Sequence, residues 1–440
     1  MKYNKPMNPQ QGRPINRVPF SQILLHFWSI KSHLLVQLEK FHGQYGDVFA
    51  IQADNLKCFI KRPDMIKRVL LDNHLNYEKS IGFKNFHVLL GNGLLTSDGA
   101  KWMGDRKVLN TEFSGISRAD NIKIATEEYQ AMRSKWKIGE EINFSKAIYE
   151  LVVHTVCREI FRIKFPSSLD EFKVAFIDFD RYLSYQQRSL IKFPFWFPHP
   201  VLIRANRAKN KLRKIAENIV NVALEEPTPN MIKTMLQNNF PRENILDHIL
   251  TFFIAGHETT VNSLLFTMLL LRDSPEAWAK LKNEIDQAPA NPDPDSLDKL
   301  EYLDCVIKES LRLFPTIPLF PRVAKEDDLL GEFQIRKGDT VALSPWLVHR
   351  SESLWPDALK FKPERFIGKR YEQEFIYFPF ALGPRKCIGA ALSSLNMKIF
   401  IFLLFKNNNF KITGPKTEDY IHNVSLAPAS DLSLFLSSNQ

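Results

Sequence analysis

Cysteine is scarce in this chain: Cys58, Cys157, Cys305 and Cys387 are the only four in 440 residues. No two form a Cys-x-x-Cys pair. That excludes a zinc-ribbon spacing and argues against a disulfide framework, so a reducing compartment, the cytoplasm, is expected. Internal repeats, low-complexity tracts and a dividing linker are absent as well. So is a long hydrophobic opening. Met1 to Pro19 is polar and dotted with proline, and the first apolar run, Phe20 to Ile30, is interrupted by Ser21, Gln22 and His26. The run is too short for a membrane span and lacks the layout of a signal peptide. Residues 1–30 are therefore expected as an N-terminal extension, poorly ordered or packed on the surface, ahead of a single domain over 31–440. No nucleic-acid motif accompanies the net charge of +10. A membrane surface or an acidic protein partner is the better reading of that charge.

What is present is globular: 44% hydrophobic and 25% charged residues, enough for a sizeable core. The densest signal is Phe380-Ala381-Leu382-Gly383-Pro384-Arg385-Lys386-Cys387-Ile388-Gly389. Gly383, Pro384 and Gly389 around Cys387 demand a sharp turn lying close to something flat or bulky. Arg385 sets a fixed positive charge two residues from the sulfur and favours the thiolate, the form that binds metal. The run from Ala390 reads as a helix whose N-terminus adds partial positive charge. Such a cysteine suits a single axial bond to iron. The plain alternative is an inert buried thiol beside a turn.

A second signal lies in Arg242 to Leu271, nearly all apolar and free of proline, which predicts a buried helix of about 45 Å. Its middle reads Ala255-Gly256-His257-Glu258-Thr259-Thr260. Glycine there costs roughly 1 kcal/mol relative to alanine, and a carboxylate and two hydroxyls are poor core residues. Small residues let a flat group approach the backbone, and a threonine hydroxyl bonded back to a carbonyl opens a local kink. A His-Glu-x-x-His zinc site fails, because the fifth position is Val261.

Other segments fill in the frame. Leu34–Tyr45 predicts a helix, Val48–Gln52 and Lys57–Ile60 a strand pair, and Arg62–Asn73 a helix from Pro63. Ile81 to Gly99 holds four glycines and reads as a long loop. Ile122–Arg162 and Ser168–Gln186 read as helical. Phe193–Pro198 is an aromatic turn, followed by Arg204, Arg207, Lys209, Lys211, Arg213 and Lys214 on a helix. This region is either the roof of a substrate entrance touching a membrane surface, or a buried corner followed by a solvated basic face. Ser274 and Pro275 begin a helix to about Gln287, Ala288–Ser296 is a loop, and Glu309 and Arg312 share one face of the next helix. Phe333–Ile335 and Val341–Ser344 read as strands, and Asn423–Ala427 with Leu432–Leu436 as a hairpin.

The loop at Cys387 resembles the haem-binding loop of the cytochrome P450 family, Phe-x-x-Gly-x-Arg-x-Cys-x-Gly, through Phe380, Gly383, Arg385, Cys387 and Gly389. The family's other motifs follow in order. Trp102 and Arg106 match its Trp-x-x-x-Arg, Ala255–Thr259 its oxygen-binding motif, Glu309 and Arg312 its Glu-x-x-Arg, and Pro363-Glu364-Arg365-Phe366 its Pro-x-Arg-Phe segment. The resemblance implies a mainly α fold with a small β part, the cytochrome P450 fold, and haem b (iron protoporphyrin IX) with an axial thiolate from Cys387. It implies propionate contacts from Trp102, Arg106 and Arg322, and haem contact from Arg385, Phe380, Ala255, Gly256 and Gly389. Thr259 and Glu258 would handle oxygen and protons, while Glu309, Arg312 and Arg365 would be structural.

The implied activity is a haem-thiolate monooxygenase that puts one oxygen atom of O2 into a lipophilic substrate, of the fatty-acid, steroid or terpenoid class. Its electrons would come from a separate ferredoxin- or flavodoxin-type donor with an NAD(P)H reductase, docking on a basic patch that includes Lys101, Lys107 and Lys386. The soluble bacterial type, monomeric and without an anchor, is the nearest match in kind. Peroxide-driven or isomerising chemistry, and a non-catalytic haem binder, are the rival classes. Glu258 and Thr259 argue against the first.

Overall fold

The computed structural model describes residues 12–26, 33–52, 56–80, 84–189 and 193–437. Contacts divide the chain into two compact units. One comprises Met1–Phe83, Arg312–Lys360 and Lys369–Cys387; the other comprises Lys84–Leu311, Phe361–Gly368 and Ile388–Gln440.

The first unit is built on a five-stranded sheet. In spatial order its strands are Val48–Gln52, Leu56–Ile60, Thr340–Leu343, Phe320–Ala324 and Tyr77–Lys79. Val48 lies opposite Ile60 in an antiparallel pair, and Ile60 runs parallel beside Leu343. These segments carry the β-branched and aromatic residues that suit a pleated, half-buried surface. Phe49 and Phe59 stack across the first pair at 5.1 Å, and Phe41 of the helix Leu34–Tyr45 meets Phe49 edge-on at 5.9 Å. That helix stops at Gly46, whose φ of +90° favours glycine. The helix expected over Arg62–Asn73 runs as Pro63–Lys67 and then as a wider π-type turn, Arg68–Asp72. Near the N-terminus, Ile15 and Val18 are buried, while the short helix Phe20–Leu25 exposes Phe20, Leu24 and Leu25. The expectations for residues 1–11 and 27–30 lie outside the described residues.

The second unit is helical, and its spine is the 31-residue helix Arg242–Arg272, about 46 Å long. It packs against Phe144–Phe161 and Pro200–Glu225, and the latter also packs on Leu169–Arg188. The helix is unbroken across Ala255–Thr260, so the expected kink does not appear as an interruption. Ala390–Asn407 is helical as expected, with Gly389 at its N-cap. Pro275–Gln287 also matches, although the Ser274 side chain makes no capping bond.

Four expectations need correction. The stretch read as a loop from Ile81 to Gly99 contains a helix, Lys84–Leu90, held by Phe86, Leu89 and Leu90 on one buried face. Residues 81–83 lie outside the described residues. The helical reading of Ile122–Arg162 is split into Arg118–Arg133 and Phe144–Phe161 by a strand, Glu141–Asn143, after a turn at Gly139 (φ +81°). A one-turn helix, Pro294–Asp298, capped by Asp293, sits in the stretch read as a loop. Finally, the C-terminal hairpin joins Tyr420–His422 to Leu426–Pro428. Ser433–Ser437 pairs instead with Asn409–Thr413 and Glu141–Asn143, burying Leu434 and Leu436.

Candidate functional site

Of the four cysteines, Cys58, Cys157 and Cys305 are buried, and burial pushes each thiol up, that of Cys305 to about 11. Cys387 alone is exposed. It ends the loop that begins at Phe380, and its N–H donates to the Phe380 carbonyl at 2.9 Å, closing the loop on itself. The turn Gly383–Arg385 forces this shape. Gly383 has φ +73°, and a Cβ there would stand 2.0 Å from the Leu70 carbonyl oxygen. Arg385 and Phe380 are half-buried in the same loop.

The helix Arg242–Arg272 is buried along most of its length, yet Ala255 at its middle is exposed and Gly256, Glu258 and Thr259 are half-buried. A Cβ on Gly256 would meet only Val156 Cγ1, at 3.9 Å, so protein packing alone does not demand glycine there. Thr259 Oγ1 donates to the Ala255 carbonyl at 2.8 Å, and Thr260 Oγ1 to Gly256 at 2.9 Å. These are the expected back-bonds. Glu258 accepts from Ser425 Oγ at 2.9 Å. Burial and the charge of Asp180 push its carboxyl up to about 7, with Ser425 pulling slightly the other way. Asp180 is itself held by Asn423 Nδ2 at 2.9 Å. His257 is fully buried, its Nδ1 donates to Phe253 O, and burial pulls its pKa down to about 4.

Trp102 is buried and Arg106 half-buried on the helix Gly99–Gly115. Arg322 is buried on the strand Phe320–Ala324, donating to the Pro321 carbonyl at 3.0 Å with its guanidinium 5.2 Å from the Phe320 ring. Glu309, fully buried, accepts from Arg365 Nε at 3.0 Å and from Lys362 N–H at 2.9 Å. Arg312, also fully buried, donates to the carbonyls of His349 (2.5 Å), Ala358 (2.7 Å) and Lys360 (3.3 Å) and lies over Trp355. Two of the basic residues are committed locally: Lys101 to Asp105 and Asn244, and Arg213 to Glu243 and Asp247. Lys107 and Lys386 are exposed.

Sequence reasoning missed Ser425 and Asp180 as partners of Glu258. Ser425 lies in a stretch read as part of a hairpin and Asp180 in one read as helical, and no spacing in the sequence links either to Glu258. In the aromatic turn, Phe193 stacks on Phe197 at 4.3 Å and Tyr182 meets Phe195 at 5.7 Å, while Trp196 is 81% exposed. Phe193, Phe195 and Phe197 are half-buried and Trp196 is exposed, so the turn is not a buried corner.

Within each unit the donor set fits a thiolate-ligated haem. One unit carries an exposed thiol in a tight glycine turn, and the other an uncovered strip of small residues on a core helix. Comparison with known proteins agrees. Residues 13–433 match the family model described as Cytochrome P450. The chain is 27% identical to Protein LUTEIN DEFICIENT 5, chloroplastic, of Arabidopsis thaliana over 403 residues, 84% of this chain and 68% of the relative. It is 28% identical to Cytokinin hydroxylase of Arabidopsis thaliana over 424 residues, 87% and 80% of the two chains. With Cytochrome P450 4V2 of Homo sapiens the identity is 27% over 394 residues, 77% and 72%. The chain therefore belongs to the cytochrome P450 family, the haem-thiolate monooxygenases.

Proposed function

We propose, taking that membership as premise, that this chain holds its haem through Cys387 and oxidises a lipophilic substrate with electrons from a separate small redox protein. The observation that carries the reading is the exposed thiol of Cys387 at the end of its turn, beside three buried and inert cysteines. Bound haem supplies the redox chemistry: two electrons and two protons reduce O2, one oxygen atom enters the substrate, and the other leaves as water.

The chain's own residues do the rest. Arg385, two residues before Cys387 in the same loop, would favour the thiolate. By their match to the family's motifs, Trp102, Arg106 and Arg322 would hold the propionates, and Phe380, Ala255, Gly256 and Gly389 would contact the haem. Glu258 exchanges its proton near neutral pH, and Thr259 places a hydroxyl one residue away. Glu309 and Arg365 form a buried pair, and Arg312 gathers three carbonyls, fixing the chain ahead of the cysteine loop. Phe86, Leu89 and the aromatic turn at Phe193–Phe197 support an apolar pocket wall and a fatty-acid, steroid or terpenoid substrate. Four free cysteines support a reducing compartment, the cytoplasm. Among the described residues, no helix is long and apolar enough to cross a membrane. The family match over 13–433 supports residues 31–440 as one family domain.

A spectral screen of long-chain fatty acids, steroids and terpenoids tests the substrate class. At least one class is expected to shift the haem from low to high spin and then turn over with NADPH and a ferredoxin chain. Product formed only with hydrogen peroxide contradicts the donor, and silence from all three classes contradicts the substrate.

A further inference from the structure

Two turns ahead of Ala255 on the long helix, Asp247 and His248 are both buried. His248 is fully buried between the rings of Phe240 and Phe252, at 5.5 and 6.1 Å. Both of its nitrogens are used. Nδ1 accepts from Leu94 N–H at 3.2 Å, so the proton sits on Nε2, which donates to Asp105 Oδ2 at 3.2 Å. Asp105 lies between Trp102 and Arg106 and shares the buried helix face of Trp102 and Leu109. It also pairs with Lys101, which reaches back to Asn244 Oδ1 at 2.8 Å. Burial pushes the Asp105 carboxyl up, but the hydrogen bonds from His248 and Lys101 outweigh it and hold it below the usual carboxylate range.

The same loop is pinned a second time. Asp247 accepts from Asn92 N–H at 2.7 Å and from Arg213 Nη1 at 2.7 Å. Glycine makes the approach possible: a Cβ on Gly91 would stand 2.2 Å from Asp247 Oδ1, and one on Gly93 2.4 Å from Thr251 Oγ1. Three elements therefore converge on one histidine: the loop through Leu94, the long helix, and the helix that bears Trp102 and Arg106.

We propose that His248 and Asp105 form a latch that positions Trp102 and Arg106 for the haem carboxylates. The inference rests on reading those two residues as propionate partners. His248 touches no reacting atom; it is a positioning residue, acting through the helix Gly99–Gly115, which is unbroken from Trp102 to Leu109.

The test is the rate of haem release from purified holoprotein to excess apomyoglobin, read beside the thermal midpoint of the haem-free protein. His248→Asn keeps an acceptor near Leu94 N–H and loses the bond to Asp105. Release is expected to quicken roughly ten- to hundredfold, the span seen when the outer partner of a metal ligand is lost, and by more than the fall in apo midpoint from the lost buried bond accounts for. His248→Gln can still reach Asp105, and its release is expected within about twofold of the parent. Equal rates for the two variants overturn the latch. Should His248→Asn fail to fold, Asp105→Ala removes the acceptor instead: fast release supports the latch and the parental rate overturns it. Arg106→Ala separates the two readings. If it leaves release unchanged, the propionate assignment fails; if it speeds release while His248→Asn does not, only the latch falls.

Discussion

Glu258 keeps its proton to about pH 7 because burial disfavours the anion and Asp180 stands nearby. An ordinary glutamate gives it up near 4.5. Between those values the folded state binds the extra proton, so this residue's contribution to stability falls as pH rises through the window. Glu258→Gln is expected to flatten that slope, seen as denaturant midpoints at pH 5 and pH 8 that differ less than in the parent. It is also expected to slow donor-driven turnover by about a hundredfold while haem content stays unchanged. Unchanged turnover would remove Glu258 from proton handling. Glu159, on Phe144–Phe161, is more extreme: fully buried, with its carboxyl pushed up to about 8 by burial. Asn396 Nδ2 donates to its Oε2 at 2.8 Å, while Glu159 Oε1 and Asn396 Oδ1 have no partner among the described residues. A neutral carboxyl brings an O–H, the donor that Asn396 Oδ1 lacks, and an amide brings an N–H. Glu159→Gln is therefore expected to unfold later than the parent at pH 9, by on the order of 1 kcal/mol or more, with little change at pH 5. A less stable variant at pH 9 would contradict a neutral Glu159.

Among the elements, the cysteine loop depends on Gly383 for both its left-handed backbone and its approach to Leu70. Gly383→Ala is expected to cost more than the roughly 1–2 kcal/mol of a left-handed residue alone, and to lower haem content in the purified protein. Full haem occupancy at the parental thermal midpoint would show that the loop tolerates a different turn. This loop, the long helix and Glu309 were legible in sequence because each is a local pattern with residue types that core packing does not explain. The elements misread were of two other kinds. Lys84–Leu90 is short and glycine-flanked, so its three buried residues gave too brief a period to register. Ser433–Ser437 finds one partner nearby at Asn409–Thr413 and the other far back at Glu141–Asn143, and strand pairing outside a tight hairpin leaves no mark on spacing. Charge was equally opaque: Arg213 reads like its five basic neighbours, yet it turns inward to Asp247.

Across the whole molecule 59 lysines and arginines stand against 49 acids, and ion pairs such as Lys101–Asp105 and Arg213–Asp247 leave the net charge of +10 unchanged. Lys107 and Lys386 are exposed, as the proposed docking of an acidic donor requires. Lys107→Glu with Lys386→Glu is expected to slow reduction by a ferredoxin several-fold at low salt, the difference shrinking as ionic strength rises. Reduction indifferent to salt would contradict electrostatic docking. Both compact units contribute motif residues, and a single family match runs from residue 13 to residue 433 through both. The direct measurement of the iron ligand is the absorption of the reduced protein under carbon monoxide. With Cys387 in place, the strongly red-shifted band of a thiolate-bound haem is expected, and Cys387→Ser is expected to abolish it. The same band in the serine variant would place the iron ligand elsewhere.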